Sequence, residues 1–153
     1  MILATVPVVS GREKPRLRRY YAHFQRITTR WLDNDAYGHV NNIVYLGWFD
    51  TAVNEYLIKS KVLDIRQGTV VGFVAETHCR YHSPLAFPQT IEAGLRVGHI
   101  GSSSVRYEVG IFAEDSASES AGGHLVHVYV DRASGKPTSL PPALRTALQA
   151  IAA

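Results

Sequence analysis

The feature that most constrains the fold is a long apolar helix followed by a run of alternating segments. From Asn41 or Asn42 to about Lys61 the chain has no proline, and apolar residues recur at helical spacing. These residues are Ile43, Leu46, Phe49, Ala52, Val53, Tyr56 and Leu57, and Val44, Tyr45 and Trp48 widen the apolar surface around the first half. A helix that is apolar on most sides must be surrounded on most sides by other elements.

Four segments after this helix alternate apolar and polar residues, which predicts β-strands at 69–82, 89–99, 103–114 and 123–132. Residues 20–31 are β-branched and aromatic enough for an earlier strand. In the segment 69–82, one face is predicted to carry Val71, Phe73, Ala75, Cys79 and Tyr81. Because period-two patterns with one polar face are typical of antiparallel sheets, we expect an α+β domain. Its curved antiparallel sheet of about five strands would wrap around the long helix, with a short C-terminal helix near 142–152.

The charge balance indicates a basic arm on a near-neutral body. The chain of 153 residues has 16 basic and 13 acidic residues, and residues 1–19 alone contribute five basic residues and one acidic residue. We therefore expect a flexible basic arm at 1–19 and a single domain at 20–153, which suits a chain of this length. Since the body has no basic stripe, no nucleic-acid partner is expected.

Cysteine and histidine usage excludes several kinds of site. Cys79 is the only cysteine, so an intrachain disulfide and a cysteine-based zinc site are excluded, and a reducing compartment such as the cytoplasm is favoured. His78 and His82 would lie about 13 Å apart along a strand, too far to share one ion, and no metal site is expected. No apolar run approaches the roughly 20 residues that span a membrane, so membrane insertion is not expected.

A turn that carries carboxylates leads directly into the long helix. Asp33, Asp35, Gly38 and His39 precede the helix start at Asn41 or Asn42. A helix N-terminus offers unpaired N–H groups and a partial positive charge, which can polarise a carbonyl group. An upstream carboxylate could then attack that carbonyl or activate water. The pattern indicates acyl transfer or hydrolysis; alternatively, the two aspartates only cap the turn and His39 packs locally.

The string Asp33-x-Asp35-x-x-Gly38-His39-Val40-Asn41-Asn42-x-x-Tyr45 resembles the signature of the 4-hydroxybenzoyl-CoA thioesterase-like group of hotdog-fold acyl-CoA thioesterases. The resemblance extends in layout over about residues 20–135, and Tyr81-x-x-Pro84 and the segment 98–104 are also similar to the family. It implies a hotdog fold, homodimers or homotetramers, and hydrolysis of an acyl-CoA thioester without a metal or other cofactor.

The resemblance also implies roles for individual residues. Asp35 matches the catalytic aspartate, as nucleophile or as general base, and the backbone N–H near Asn42 matches the group that polarises the thioester carbonyl. His39 matches a catalytic histidine of plant acyl-carrier-protein thioesterases, but Tyr37 stands where those enzymes have asparagine, so His39 is a candidate for catalysis or for loop stabilisation. The residues predicted to bind substrate are Gly38, Tyr45, Ser102 and Ser103.

Alternatives remain at two levels. Asp33 is expected to be structural, and Asp50 and Glu55 on the helix are the carboxylates that another branch of hotdog thioesterases would use. The predicted activity is acyl-CoA hydrolysis; the alternatives are an acyl-carrier-protein thioesterase and a non-catalytic acyl-CoA-binding hotdog module. Three arginines on predicted outer faces would either meet coenzyme A phosphates or face solvent: Arg80, Arg96 and Arg106.

Overall fold

A computed structural model describes residues 13–153, so residues 1–12 of the predicted arm lie outside the described residues. The elements are β1 (His23–Thr28), α1 (Asn42–Lys59), β2 (Val70–Tyr81), β3 (Thr90–Ile100), β4 (Ser104–Ala113), β5 (Ala121–Asp131) and α2 (Pro142–Gln149). Short 3-10 helices occur at Arg18–Tyr20 and Trp31–Asp33. In this part of the chain no helix is long and apolar enough to cross a membrane.

The five strands form one antiparallel sheet in the order β1-β3-β4-β5-β2, and this confirms the predicted α+β architecture. Helix α1 packs against the inner face of the sheet, where it contacts β2, β3, β4 and β5. Both terminal positions in the sheet are edges: the six-residue β1 on one side and the twelve-residue β2 on the other.

Helix α1 forms where the apolar pattern predicts it. Asn41 is the N-cap, and its side-chain oxygen accepts a hydrogen bond from the Ile43 N–H at 3.1 Å. The side chains buried in the core are Tyr45, Trp48, Phe49, Ala52, Val53 and Leu57. Because this set includes the bulky aromatic residues of the first half, the helix start is held rigidly against the sheet.

A β-bulge in β2 corrects one sequence-based prediction. Val74 pairs with His127 and Glu76 pairs with Val126, so the pairing register shifts between these residues at Ala75. Because the bulge adds one residue to the strand, the alternation of inward and outward side chains reverses between the residues before it and those after it. Cys79 and Tyr81 therefore face inward, whereas Val71 and Phe73 lie on the outer face, and the prediction of one shared face is wrong.

The outer face of the sheet is covered at its centre rather than fully solvated. Tyr21 packs over Gly94 and Gly110 and makes edge-to-face contacts with Phe24 and Phe112. The two residues Leu17 and Arg18, which precede Tyr21, also contact the strands and the turn of the sheet. Leu17 pairs with Ser118, and Arg18 donates to Glu92 and to the backbone oxygens of residues 113, 114 and 116. The described end of the predicted arm thus has defined contacts with the sheet.

Candidate active site

The loop between β1 and α1 is closed by paired backbone groups. The Asn41 N–H donates to the Asp33 oxygen and the Asp35 N–H donates to the His39 oxygen, both at 2.8 Å. Asn34 and Val40 form an isolated antiparallel bridge between these two pairs. A three-step ladder therefore holds Asp35 at a fixed position beside the start of the helix.

Glycine is required at the tip of this loop. Gly38 has a φ of +83°, in the left-handed region that side chains disfavour, and its N–H donates to the Asp35 oxygen at 3.1 Å. Gly38 also lines the depression beside Asp35. It thus shapes the loop at the place where sequence analysis predicted a substrate contact.

Asp35 is half-buried and keeps one carboxylate oxygen available. Its Oδ1 accepts a hydrogen bond from the Tyr37 N–H at 2.8 Å, which fixes the side-chain orientation. Within residues 13–153, no donor is hydrogen-bonded to Oδ2. An oriented carboxylate with one free oxygen can act as a nucleophile or accept a proton from water.

Asp33 has a different environment from Asp35. It is fully buried, and its Oδ2 accepts the Arg30 N–H at 2.7 Å. Its Oδ1 accepts both Nε and Nη2 of the Arg30 guanidinium, at 3.0 and 2.8 Å. With both oxygens occupied, Asp33 is suited to hold the loop rather than to react.

The first amide of α1 points out of the helix without an intrahelical acceptor. Asn42 is the first helical residue, and in the described part of the chain its N–H has no hydrogen-bond acceptor. Tyr81, at the end of β2, donates its hydroxyl to the Asn42 oxygen at 2.9 Å. This bond fixes the helix start to the sheet, so the free amide has a defined direction.

Two tyrosines line the join between α1 and β2. The ring of Tyr45 is buried and packs edge-to-face against Tyr81, with centroids 5.1 Å apart. Burial raises the pKa of each of these tyrosines to about 12, so both hydroxyls stay protonated at neutral pH. Burial likewise raises the pKa of the nearby Cys79 to about 11, which leaves its thiol uncharged and a poor nucleophile.

His39 contributes its backbone to the loop. Its carbonyl oxygen accepts the Asp35 N–H, and its half-buried imidazole makes no hydrogen bond within the described residues. The geometry gives His39 a stabilising contact through the backbone, and its side chain stays a candidate for catalysis.

Two depressions flank the loop and the helix start. One, of about 460 Å³, is lined by Trp31, Asn34, Asp35, Ala36 and Gly38. The other, of about 420 Å³, runs along the first half of α1 and is mostly apolar, with Ile27, Ile43, Val44 and Trp48 in its wall. A polar reacting group and an apolar chain could therefore be held next to each other.

Ser102 and Ser103 lie far from this loop within one chain. Their carbonyl oxygens accept the N–H groups of Leu140 and Tyr129, in the turn between β3 and β4. Along β5, the partner of Tyr81 is Ala121 and the partner of Ser104 is Val128, a separation of about 24 Å. One chain therefore brings Asp35, Gly38, His39, Asn42 and Tyr45 together but not the two serines.

The alternative carboxylates on α1 are engaged elsewhere. Asp50 is exposed and accepts a hydrogen bond from Asn54, and Glu55 contacts Gln25 and Lys59. Neither residue lines the two depressions beside the loop.

Tyr81 is the residue of this site whose contact the sequence did not reveal. Its place in the similar segment Tyr81-x-x-Pro84 was a signal, but the hydrogen bond to Asn42 depends on how β2 meets the helix. Pairing between elements 39 residues apart cannot be read from local spacing.

The chain is similar to several known proteins in sequence and in fold. A sequence profile of the thioesterase-like superfamily matches residues 29–148. Among solved structures, the PA5185 protein from Pseudomonas aeruginosa is 51% identical, with 92% of this chain and 98% of that chain covered and a TM-score of 0.89. A thioesterase from Thermus thermophilus, complexed with coenzyme A and Zn, is 30% identical, with 84% and 92% covered and a TM-score of 0.70. A 1,4-dihydroxy-2-naphthoyl-CoA thioesterase from Synechocystis is 17% identical and shares the fold, with 82% and 94% covered and a TM-score of 0.75.

Proposed function

The chain belongs to the thioesterase-like superfamily and has its hotdog fold, and from this premise we propose that it hydrolyses acyl-CoA thioesters to coenzyme A and a carboxylic acid. The observation that carries the proposal is that one continuous segment, the closed loop and the helix start after it, presents two groups with free hydrogen-bonding capacity. These groups are the Asp35 carboxylate with its free oxygen and the unpaired amide of Asn42 at the helix N-terminus.

Asp35 is the reacting carboxylate in this proposal. As a nucleophile, Asp35 Oδ2 attacks the thioester carbonyl carbon, the C–S bond breaks, and water then hydrolyses the resulting anhydride. As a general base, Asp35 takes a proton from a water molecule whose oxygen attacks the same carbon, and the proton passes to the leaving thiolate. Both routes give the same products, and the orientation of Asp35 by the Tyr37 N–H suits either route.

The start of α1 stabilises the negative charge that develops on the carbonyl oxygen. The Asn42 N–H donates to that oxygen, and the partial positive charge of the helix N-terminus adds to the stabilisation. Tyr81 positions this amide through its bond to the Asn42 carbonyl. His39 is assigned to loop stabilisation or to proton transfer in the same step.

The substrate assignment rests on two observations. The apolar depression beside α1 provides a place for the acyl group, next to the loop that holds Asp35. The Thermus thermophilus relative was solved with coenzyme A bound, which supports a coenzyme A thioester as the substrate here. The single cysteine supports a reducing, cytoplasmic setting for the reaction.

We also assign a homodimer, paired through β2, as the functional unit. Strand β2 is a twelve-residue edge strand, and its Phe73 and Val74 are 60% and 50% exposed. Long apolar edge strands pair readily with a second strand, so a second copy of β2 suits this edge. A partner chain would then be needed to bring its Ser102 and Ser103 near the loop that holds Asp35.

The test is a substrate panel with the purified full-length protein. Release of free thiol is measured with short, long and aromatic acyl-CoAs, and with one acyl chain carried by coenzyme A or by acyl carrier protein. We expect turnover with at least one acyl-CoA, and a higher kcat/KM for the coenzyme A form than for the carrier-protein form. Tight acyl-CoA binding without thiol release would contradict hydrolysis and support the binding-module alternative. A preference for the carrier-protein form would support the alternative that the sequence His39-Val40-Asn41-Asn42 suggests.

A further inference from the structure

A cavity on the outer face of the sheet is lined by an excess of basic side chains. It has a volume of about 230 Å³ and lies on the face opposite α1, where β2 and β5 pair. Four basic side chains line it, Lys14, Arg16, Arg80 and Arg106, against the carboxyl groups of Glu13 and Glu119. Since a concave surface concentrates the field of the charges that line it, this cavity favours an anion.

Most of these cations are not hydrogen-bonded to a carboxylate in the described part of the chain. Arg16 and Arg106 lie 3.6 and 3.7 Å from Glu108 oxygens, beyond hydrogen-bond distance. Among residues 13–153, only Arg80 is hydrogen-bonded to a carboxylate that lines the cavity, that of Glu13. Because Glu13 engages only Nη1 of Arg80, this guanidinium group also keeps donors for an incoming anion. The side chains of Arg80 and Arg106 are more exposed than that of Arg16, which makes these two the most accessible to a ligand.

The carboxyl groups near the cavity are partly compensated by other contacts. Glu119 is 4% exposed and accepts a hydrogen bond from the Tyr21 hydroxyl. Burial raises the pKa of the Glu119 carboxyl above its ordinary value, which weakens its opposition to a bound anion.

Two imidazoles form part of the same wall. His78 and His124 stack with ring centroids 5.2 Å apart and planes 12° from parallel. His124 Nε2 is hydrogen-bonded to Glu76 Oε1 at 2.5 Å, so of these two rings it is His78 that offers an N–H donor beside the guanidinium groups. Gly122 and Gly123 of β5 also line the cavity.

From this arrangement we propose that the outer-face cavity binds a phosphate-bearing ligand, with Arg80 and Arg106 as its main anchors. Guanidinium forks match the oxygens of a phosphate group in two-point hydrogen bonds, and a phosphate group gains from several arginines converging on it. The assignment rests on charge and shape, and it does not depend on whether the chain hydrolyses thioesters.

The end of β2 connects this cavity with the candidate active site. Tyr81 faces inward and contacts the first residue of α1, whereas Arg80 faces outward into the cavity. A long ligand that passes the end of β2 could place its reacting group at one face and its phosphate at the other. The phosphate therefore has two possible sources: the nucleotide end of coenzyme A, or a separate phosphorylated small molecule.

The experiment measures binding by calorimetry with adenosine 3′,5′-bisphosphate and with inorganic phosphate, using the full-length protein without turnover. We expect the bisphosphate to bind the wild type, and the double variant Arg80→Gln/Arg106→Gln to bind at least tenfold more weakly. The matched control is Arg26→Gln on β1, which removes an exposed arginine paired with Glu114 at 2.9 Å, and it should bind as the wild type does. Circular dichroism and thermal unfolding establish that each variant is folded.

Competition with acyl-CoA then identifies the source of the phosphate. If the bisphosphate inhibits acyl-CoA turnover competitively, the cavity holds the nucleotide of coenzyme A, and the double variant should raise KM more than it lowers kcat. If the bisphosphate binds without competing, a separate phosphorylated molecule is the ligand. Absence of binding to the folded wild type, or equal weakening in the Arg26→Gln control, would overturn the proposal even if thioester hydrolysis is observed.

Discussion

Two aspartates that lie only two residues apart have opposite environments, and this difference is the basis of the roles that we propose for them. Asp33 is fully buried with both oxygens bonded to Arg30, whereas Asp35 is half-buried with one oxygen free among the described residues. The loop thus separates a supporting carboxylate from the one that we propose to react.

Replacing Asp33 should therefore affect stability. Asp33→Asn removes the charge that Arg30 pairs with and one of the acceptors for its donors, so the free energy of unfolding should fall by about 1–3 kcal/mol. Urea unfolding measures this change. Asp115→Asn, in an exposed turn, is the control and should change stability by less than about 0.5 kcal/mol. An equal effect of the two substitutions would contradict the structural role of Asp33.

His127 should make stability depend on pH. It is 4% exposed, its Nε2 has no hydrogen-bond partner among the described residues, and burial lowers its pKa below the ordinary 6.5. Below about pH 6.5 this imidazole binds a proton in the unfolded chain, whereas burial keeps it neutral in the folded chain. The contribution of the neutral His127 to the free energy of unfolding is therefore complete above about pH 6.5, and it is lost as the pH falls toward the folded-state pKa.

The variant His127→Phe tests this dependence because the apolar ring cannot titrate. Its Tm should decrease less than that of the wild type between about pH 7.5 and about pH 5.5. The same substitution at the exposed His99 is the control and should leave the wild-type slope in place. Identical slopes for His127→Phe and the wild type would show that His127 is not the group responsible.

At the scale of elements, α1 contains one position that is not optimal for a helix. Gly47 lies in the middle of the helix, and a Cβ atom there would meet nothing within 4 Å. Gly47→Ala should raise the free energy of unfolding by about 0.5–1 kcal/mol, because alanine loses less backbone entropy on folding. Gly38→Ala should instead lower it, since Gly38 has a φ of +83°. Thermal or urea unfolding of both variants tests this contrast, and stabilisation by both would contradict it.

The elements themselves were largely predictable, and the exceptions have specific causes. Helix α1 and the last four strands agree with the sequence-based bounds within about two residues, because each has a clear period of its own. The inner and outer faces of β2 could not be assigned correctly, since the bulge at Ala75 is set by the pairing with β5. The central covering of the outer face was likewise missed, because Tyr21 contacts residues that are distant in sequence.

The candidate site was predictable to the extent that it lies in one continuous segment. Asp35, Gly38, His39, Asn42 and Tyr45 are within eleven residues, and the fold keeps them together. The contact of Tyr81 with this segment, and the distance of Ser102 and Ser103 from it, depend on strand order and not on local pattern. The outer-face cavity joins side chains from several distant segments, so it could not be seen as a cluster in the sequence.

At the scale of the whole molecule, the exposed edge of β2 predicts self-association. Charged side chains on an edge strand oppose pairing with another strand, so Phe73→Lys/Val74→Lys should convert a dimer into a monomer. Light scattering coupled to size-exclusion chromatography measures the mass. Ile65→Lys is the control, because Ile65 is 65% exposed but lies in the connection before β2, and it should remain dimeric. An unchanged mass for the double variant would exclude β2 as the interface.

The central claim is that the Asp35 carboxylate reacts in thioester hydrolysis, and the kcat of Asp35→Asn tests it most directly. Asparagine keeps the size of the side chain and can still accept the Tyr37 N–H, but it removes the carboxylate. We predict a fall in kcat of about 10²–10⁴-fold with an unchanged Tm, while Asp50→Asn on the exposed face of α1 stays within about twofold of the wild type. A folded Asp35→Asn variant that hydrolyses its best acyl-CoA substrate at the wild-type rate would contradict the account.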